Sequence, residues 1–422
     1  MTSAPTKRES TSPDRIRGIQ RRTLAVLSSA QIVGGVGVAV GLALSSVVVD
    51  ELSGSTVISG FAGTATVLGA ALLALPTAKA AGRGGRRAGL ALAYVAALVG
   101  CAISVAAITI GNWPLLLGGL VLVGGGSAGN LASRYSATDL SPPGHAARHL
   151  SLVVWAATIG SVAGPNLAKP ADQIGMNLGL VEKAGPFAFA ALAFALALIV
   201  VVAGLRPDPL KLARRLDGTH ATAAKHERAV RDAWRTLRVT PMARRALIMI
   251  AVSHTAMVSV MSMTPVKLHH DGSTLDIIGL VISLHIAGMY VMSPVVGWLA
   301  DKAGKVPVLI LGMALLLSAA VLAGTAGHHV GQVTIALVIL GLGWSCGLVA
   351  GSALVTESVP IERRPAVQGL SDLLMNVCGA TGTIVAGAIV GGLSYGFLGL
   401  VVGIMVTAAG LWLLITWRRQ PT

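Results

Sequence analysis

One carboxyl group lies inside an apolar stretch of membrane-spanning length. Asp372 falls in the run 365–391, about two helical turns from its start, with Gln368 and Asn376 four positions away on either side. Residues four apart share a helix face, so the three form a polar stripe. Ionisable groups in the bilayer core are costly and usually functional. Asp372 is our first candidate for a proton carrier; the alternative is a structural carboxylate bonded to backbone amides or to a basic residue.

Two histidines also fall inside apolar stretches. His285 lies near the middle of the run 274–299, and His254 lies about two turns into the run 246–266. Imidazole changes charge near physiological pH, so both are further candidates for proton coupling. The alternative for each is a buried packing residue whose ring nitrogens have found partners.

The elements that must position these groups are membrane helices. With 54% hydrophobic and 12% charged residues, the chain is too apolar for a soluble protein of its length. A span needs about 20 apolar residues. The sequence predicts an all-α membrane protein with twelve spans: 23–49, 56–80, 88–110, 114–133, 149–168, 186–205, 246–266, 274–299, 306–326, 331–355, 365–391 and 393–417.

The basic residues are distributed unevenly across this topology. An even number of spans puts both termini on one side, and that side receives all but three of the 32 lysines and arginines. The exceptions are Lys169, Lys183 and Lys267. Positive charge accumulates on the cytoplasmic side, so we expect cytoplasmic termini, a location in the inner (cytoplasmic) cell membrane and an anionic leaflet against the basic face. The net charge of +15 therefore does not indicate a nucleic-acid partner.

A short charged turn, GWLADKAGK, separates the eighth and ninth predicted spans. It begins at Gly297, which allows two backbones to approach closely, and Gly304 permits the chain to reverse. Between and after them, Asp301, Lys302 and Lys305 set a charge pattern where the helices leave the lipid. The composition predicts a helical hairpin at a membrane surface.

A degenerate copy of this turn lies about half the chain earlier, in PTAKAAGRGGRR. There Gly85 matches Gly304, and Gly82 stands where Asp301 would be. The chain is therefore interpreted as two tandem repeats. The intact pattern, G-x-L-A-D-[KR]-x-G-[KR], resembles the loop signature of the major facilitator superfamily of secondary transporters. The resemblance covers nearly the whole chain and implies two pseudo-symmetric six-helix bundles around a cavity at the membrane midplane.

If the chain consists of two tandem repeats, it divides into five parts. These are a cytoplasmic tail (1–22), an N-terminal bundle (23–205), a cytoplasmic linker (206–245), a C-terminal bundle (246–417) and a second cytoplasmic tail (418–422). In the linker, Val230, Ala233, Trp234 and Leu237 recur at helical spacing. We expect them to form an amphipathic helix on the lipid surface, the alternative being a solvated linker.

The family resemblance also implies a charge pair. Aligning Asp139 with Glu357 extends the repeat and puts Ser352 opposite Arg134. In the family, the acid of each turn contacts the neighbouring bundle. We therefore expect Asp301 and Arg134 to form a latch that closes the cytoplasmic side, with its mirror image lost from the other half. The alternative is two ordinary solvated charges, since exposed pairs contribute only about 0–1 kcal/mol.

A second motif lies in the fifth predicted span. Gly160 and Gly164 are four apart, and Pro165 follows. The sequence is similar to the G-x-x-x-G-P motif of proton-driven drug exporters of the superfamily; the alternative is a kinked, tightly packed helix. These exporters also carry an arginine in the fourth helix, ahead of a glycine, where this chain has Leu120.

The remaining polar side chains within the spans describe the expected cavity. The candidates for its lining are Gln31, Asn130, Asn166, Tyr290, Gln368 and Asn376. No cluster of intramembrane arginine or lysine is predicted, and aromatic residues make up only 4% of the chain. This inventory favours a small hydrophobic or amphiphilic substrate.

Other chemistries find little support. No phosphate-binding loop is present, the adjacent histidine pairs lack the spacing of a metal site, and no nucleophile stands with a base. We expect no enzymatic activity, no metal, no cofactor and a monomeric protein. The sequence thus predicts an exporter that exchanges its substrate for protons by alternating access. The alternatives are uptake or facilitated diffusion of a metabolite, and a transporter-like sensor or assembly subunit that moves nothing.

Overall fold

The computed structural model describes residues 12–217 and 229–418, which form seventeen helices and contain no strand. Parts of the predicted tails and linker, 1–11, 218–228 and 419–422, lie outside the described residues. The helices are α1 (Pro13–Ala43), α2 (Ser45–Ser53), α3 (Thr56–Ser59), α4 (Phe61–Gly84), α5 (Arg86–Thr109), α6 (Trp113–Ser136), α7 (Ala146–Asn177), α8 (Gly185–Gly204), α9 (Pro209–Leu216), α10 (Ala229–Val239), α11 (Pro241–His270), α12 (Leu275–Tyr290), α13 (Ser293–Ala303), α14 (Lys305–Gly324), α15 (Val330–Ser358), α16 (Arg364–Gly392) and α17 (Tyr395–Arg418).

Twelve helical segments within the described ranges are long and apolar enough to cross a membrane, which confirms the predicted count. Three of them are interrupted, and one of these is the sixth, Gly185–Leu216, in which α8 is followed by α9. The first span is α1 followed by α2, with a break at Leu44. The eighth is α12 followed by α13, which begins at Ser293 with Pro294 in its first turn. Proline lacks an amide hydrogen and restricts the residue before it, which accounts for the break in the eighth span.

The spans form two six-helix bundles that repeat one packing scheme. In the first bundle α6 packs against α4 and α5, and in the second α15 packs against α12 and α14. A Cβ atom added at Gly124 would lie 2.3 Å from the Thr66 carbonyl oxygen. At Gly341 it would lie 2.6 Å from the His285 carbonyl oxygen. Small residues allow such close helix contacts in lipid, where hydrophobic force between helices is weak.

The bundles contact each other at one end. We call the side on which the described residues begin and end, at Ser12 and Arg418, the terminal face, and the other side the opposite face. Near the terminal face α4 packs on α16 so closely that a Cβ atom at Gly369 would lie 2.3 Å from the Ala78 Cβ atom. At the other ends of these helices, a Cβ atom at Gly63 or Gly391 would meet nothing within 4 Å, and Ile384 is 71% exposed. The structure is therefore closed at the terminal face.

The segment between the bundles contains α9 and α10. Ala233 and Leu237 of α10 are buried and belong to the core of the C-terminal bundle. Trp234 is 48% exposed. The described part of the expected amphipathic helix thus places its buried face on protein and leaves its tryptophan at the surface.

Candidate functional site

Five polar side chains meet near the terminal face, where α5, α6 and α16 come together. Each is at most 7% exposed. We call them the interface network: Arg86, Arg134, Asp139, Gln368 and Asp372. Buried charges are unfavourable unless they are paired and hydrogen-bonded. The network satisfies this condition by joining groups from both bundles.

The central contact of the network is an ion pair between the bundles. Arg134 Nη2 on α6 donates to Asp372 Oδ1 on α16 at 2.7 Å, and the two side chains are 2% and 7% exposed. Arg134 Nε also donates to Ser352 Oγ at 3.2 Å. Arg134 Nη1 is buried without a partner among the described residues. Asp372 thus has the basic partner that the structural alternative required, and this partner belongs to the other bundle.

A second polar link runs beside the first. Arg86 holds Asp139 through two hydrogen bonds, Nε to Oδ2 at 2.7 Å and Nη2 to Oδ1 at 2.9 Å. Arg86 Nη2 also donates to Gln368 Oε1 on the other bundle at 2.7 Å. Gln368 therefore bonds across the bundle interface. From the sequence we expected one polar link between the bundles at this face, but the Arg134–Asp372 and Arg86–Gln368 contacts both join them.

Asp301 does not pair with Arg134, so the predicted partner of this acid was wrong. Its two carboxylate oxygens accept the backbone N–H groups of Ala147 at 3.2 Å and Arg148 at 2.8 Å. These amides are at the start of α7, where unpaired N–H groups and the helix dipole favour negative charge. Lys305 of the same turn lies 3.5 Å from Asp301. Asp301 therefore links the bundles through a helix N-terminus.

The other positions of the charged turn have distinct surroundings. A Cβ atom at Gly297 would lie 2.2 Å from Ser151 Oγ, so α13 and α7 can meet this closely only at glycine. Gly304 has φ +97°, a backbone conformation that favours glycine. Lys302 places its ammonium 4.7 Å from the centre of the Trp298 ring in its own bundle.

The two repeats keep one ion pair in common. Arg86 follows Gly85 and pairs with Asp139; Lys305 follows Gly304 and its Nζ lies 2.9 Å from Glu357 Oε1. The two acids were aligned from the sequence, but their partners were missed. A search for opposite charges kept together in both halves would have found them.

Replacing Asp301 by asparagine will weaken closure of the terminal face. Charge at a helix N-terminus contributes about 1 kcal/mol, so we expect the balance between closed and open forms to shift about fivefold. Distances between spin labels on the two bundles at this face will report it. The control is Lys302→Gln, which removes a charge from the same turn; this ammonium packs on Trp298 of its own bundle. Equal distance distributions for both variants would contradict the role of Asp301.

The two histidines occupy different environments. His285 is fully buried, and its Nδ1 donates to the Leu337 carbonyl at 2.7 Å within the C-terminal bundle. His254 is partly exposed and accepts the Trp344 Nε1–H at 3.1 Å, so its Nδ1 carries no proton. Tyr290 packs edge-on against the same tryptophan, with 5.7 Å between ring centres. We call His254, Tyr290 and Trp344 the aromatic cluster. Trp344 was not among the residues that we expected to find at a site from the sequence.

The remaining cavity candidates do not form one group. Gln31 is 6% exposed, and its Oε1 has no partner among the described residues. Asn130 accepts a hydrogen bond from Tyr94 at 3.3 Å. Asn166 and Asn376 each donate to a carbonyl one turn back in their own helix, at 2.8 Å.

The glycines of the fifth span pack within the N-terminal bundle. A Cβ atom at Gly160 would lie 2.9 Å from the Gly35 Cα atom, and one at Gly164 would lie 2.2 Å from the Ala39 Cβ atom. The helix continues through Pro165. These contacts join α7 to α1 tightly.

A cavity of about 1050 Å³ opens at the terminal face, next to the interface network. Its lining includes Asp139, Glu357 and Arg364. It therefore borders one carboxylate of the network from the terminal side. Among the described residues, no group of three or more histidine, cysteine, aspartate or glutamate side chains is placed to hold a metal ion.

Comparison with known proteins identifies the family. The family model for the Major Facilitator Superfamily matches residues 24–277 and 247–422. The chain is 35% identical over 403 residues to an uncharacterized MFS-type transporter, YdeG, of Bacillus subtilis (strain 168), covering 93% of this chain and 91% of that protein. It is 26% identical to the riboflavin transporter RfnT of Brucella anthropi, covering 87% and 89%. The crystal structure of the human organic anion transporter MFSD10 superposes with a TM-score of 0.76 at 17% identity, covering 93% and 99%. The chain belongs to the Major Facilitator Superfamily of transporters.

Proposed function

We propose that this transporter exports a small hydrophobic or amphiphilic compound in exchange for protons, by alternating access. The observation that carries the proposal is the buried ion pair between Asp372 and Arg134, which joins the two bundles. A titratable carboxylate at a contact that must break for the terminal face to open can couple protonation to that opening. Asp372 is the proton carrier in this mechanism, and the proton gradient supplies the energy.

The proposed coupling follows from the charge of Asp372. When ionised, the carboxylate attracts Arg134 and keeps the terminal face closed. A proton arriving from the opposite face neutralises it, weakens the ion pair and allows the bundles to part at the terminal face. Loss of that proton on the terminal side, together with substrate binding, restores the attraction and returns the transporter to the closed form. One proton thus enters as one substrate leaves.

The direction of transport rests on the orientation of the chain. The predicted topology assigns all but three of the 32 lysines and arginines to the side of the terminal face. We propose that this face is cytoplasmic, against the anionic leaflet of the inner cell membrane, and that the protein works as a monomer. The cavity at the terminal face would then be the entrance for substrate.

The aromatic cluster favours a second candidate substrate class, a planar aromatic metabolite. Its three rings gather on α11, α12 and α15, in a chain whose aromatic content is only 4%. Aromatic rings pair with one another in offset or edge-to-face arrangements. One relative is named as a riboflavin transporter, and riboflavin is a planar aromatic metabolite. Competition between flavins and hydrophobic compounds for transport would separate the two candidates.

Asp372→Asn tests the mechanism in proteoliposomes. We expect the variant to lose substrate movement driven by a pH gradient, because an amide cannot take up the proton. Exchange of labelled for unlabelled substrate without a gradient will persist, since asparagine can still hydrogen-bond to Arg134. The fraction of pH-driven flux relative to exchange is the quantity to measure.

The control is Asp271→Asn, which changes an acid paired with Lys267 at the opposite face. It should retain both activities. Full pH-driven transport by Asp372→Asn would overturn the role of this residue. Flux that no pH gradient alters in the unmodified protein would overturn proton exchange itself.

A further inference from the structure

A groove runs along the outside of the C-terminal bundle, between α14 and α17. It has a volume of about 570 Å³. The helices touch where a Cβ atom at Gly399 would lie 2.7 Å from the Gly324 Cα atom. Beside this contact, Val321, Leu400 and Ile404 are 54%, 57% and 62% exposed. The groove therefore has a glycine-rich floor and apolar walls.

The length of the groove matches a lipid chain. Its lining on α17 extends from Gly396 to Leu411. At 1.5 Å per residue, these positions span about 22 Å along the helix. The hydrocarbon core of a bilayer is about 30 Å thick, so the groove covers one leaflet and continues past the midplane.

A pocket of about 330 Å³, lined in part by charged side chains, adjoins the end of the groove at the opposite face. Gly324 and Gly396 line both spaces, so the two are continuous. The pocket contains Lys267, Asp271 and His328 among its lining. The groove could therefore hold the apolar chain of a lipid, and the adjoining pocket could hold its charged head group.

The ammonium of Lys267 can still donate a hydrogen bond to a ligand. Its side chain is 11% exposed, and it donates to Asp271 and to the Gly327 carbonyl. A lysine ammonium has three N–H groups, so one remains after these two hydrogen bonds. The ammonium also lies 5.7 Å from the centre of the Tyr395 ring. Asp271 is also held by His328 Nδ1 at 2.9 Å. Lysine binds phosphate groups well as a point charge.

We propose that this groove and pocket form a binding site for one phospholipid of the leaflet at the opposite face. An acyl chain occupies the groove between α14 and α17, and the phosphate contacts the Lys267 ammonium. The site is separate from the interface network and does not depend on the proposed substrate or its coupling to protons.

Native mass spectrometry of the delipidated, full-length protein tests the site. Dioleoylphosphatidylglycerol, dioleoylglycerol and inorganic phosphate are added separately. Gly403→Leu fills the groove; a Cβ atom there lies 3.5 Å from Leu317 Cδ1, an ordinary contact, so the helices need not move. Lys267→Gln removes the charge. Leu196→Phe is the control, because it enlarges a 46% exposed apolar side chain on α8, away from the groove.

We expect the unmodified protein to bind one phosphatidylglycerol most tightly. Gly403→Leu will weaken binding of both lipids about tenfold, and Lys267→Gln will weaken only that of phosphatidylglycerol, by a similar factor. Leu196→Phe will change neither. Equal lipid binding by all four proteins would overturn the site, as would binding of phosphate alone with the same affinity as the lipid. A dimer that Gly403→Leu dissociates would instead assign the groove to a second copy of the chain and overturn the lipid proposal.

Discussion

Arg134→Gln will strongly lower the thermal stability of the purified protein, and adding Asp372→Asn will restore much of the loss. The single change leaves the Asp372 carboxylate buried without its partner at 2.7 Å. Removing one member of a buried ion pair typically costs about 3–5 kcal/mol, because the remaining charge is uncompensated. The second change removes that charge, so the two effects will be far from additive.

Melting temperatures of the two single variants and the double variant, measured in the same detergent, form the required cycle. Arg148→Gln is the control, since it removes an exposed arginine near the same face. It should leave the melting temperature nearly unchanged. Additive effects of Arg134→Gln and Asp372→Asn would show that the two side chains are not coupled and would remove the ion pair from the mechanism.

This cycle also separates stability from transport. Asn at position 372 is neutral, as protonated Asp372 is, so the Asp372→Asn variant resembles the protonated protein permanently. If the ion pair keeps the terminal face closed, the same variant will populate the open form more often. Stability, conformation and pH-driven flux then report on one contact by three independent measurements.

The sequence was sufficient to predict the fold because its evidence is local and repeated. Each of the twelve spans could be recognised from its own apolar length, and the all-α architecture followed. The repeat was visible from Gly85 and Gly304, which both have positive φ in the structure. A turn that requires glycine twice leaves the same mark twice in the sequence.

The partners within the interface network were harder to predict, because contacts between bundles depend on how the two repeats face each other. Alignment correctly related Ser352 to Arg134, and these two residues touch across the interface. It could not show that Asp372, on another helix, completes the contact. Asp301 was assigned a side-chain partner although its actual partners are backbone amides of α7. Counting charged side chains alone overlooks the charge at a helix N-terminus.

Packing glycines provide the second large effect that we expect. Gly69→Ala will prevent normal assembly of the N-terminal bundle, because a Cβ atom there would lie 1.7 Å from the Val121 carbonyl oxygen. The Cβ atom would be fixed to the backbone of α4, and the carbonyl belongs to the backbone of α6. Relief of the clash therefore requires one helix to move away from the other. Overpacking typically costs about 1–3 kcal/mol, and this position should reach or exceed the upper value.

The repeat supplies a graded series for this test. At Gly288, the matching crossing in the other bundle, a Cβ atom would lie 2.6 Å from the Val338 carbonyl oxygen. At Gly118 of α6 it would meet nothing within 4 Å. Melting temperatures should therefore fall most for Gly69→Ala and less for Gly288→Ala. Gly118→Ala should be unchanged or slightly more stable, since alanine favours helix over glycine by up to about 1 kcal/mol. Equal stability of all three variants would mean that α4 and α6 can separate without cost, and that backbone contact at this crossing does not hold the bundle together.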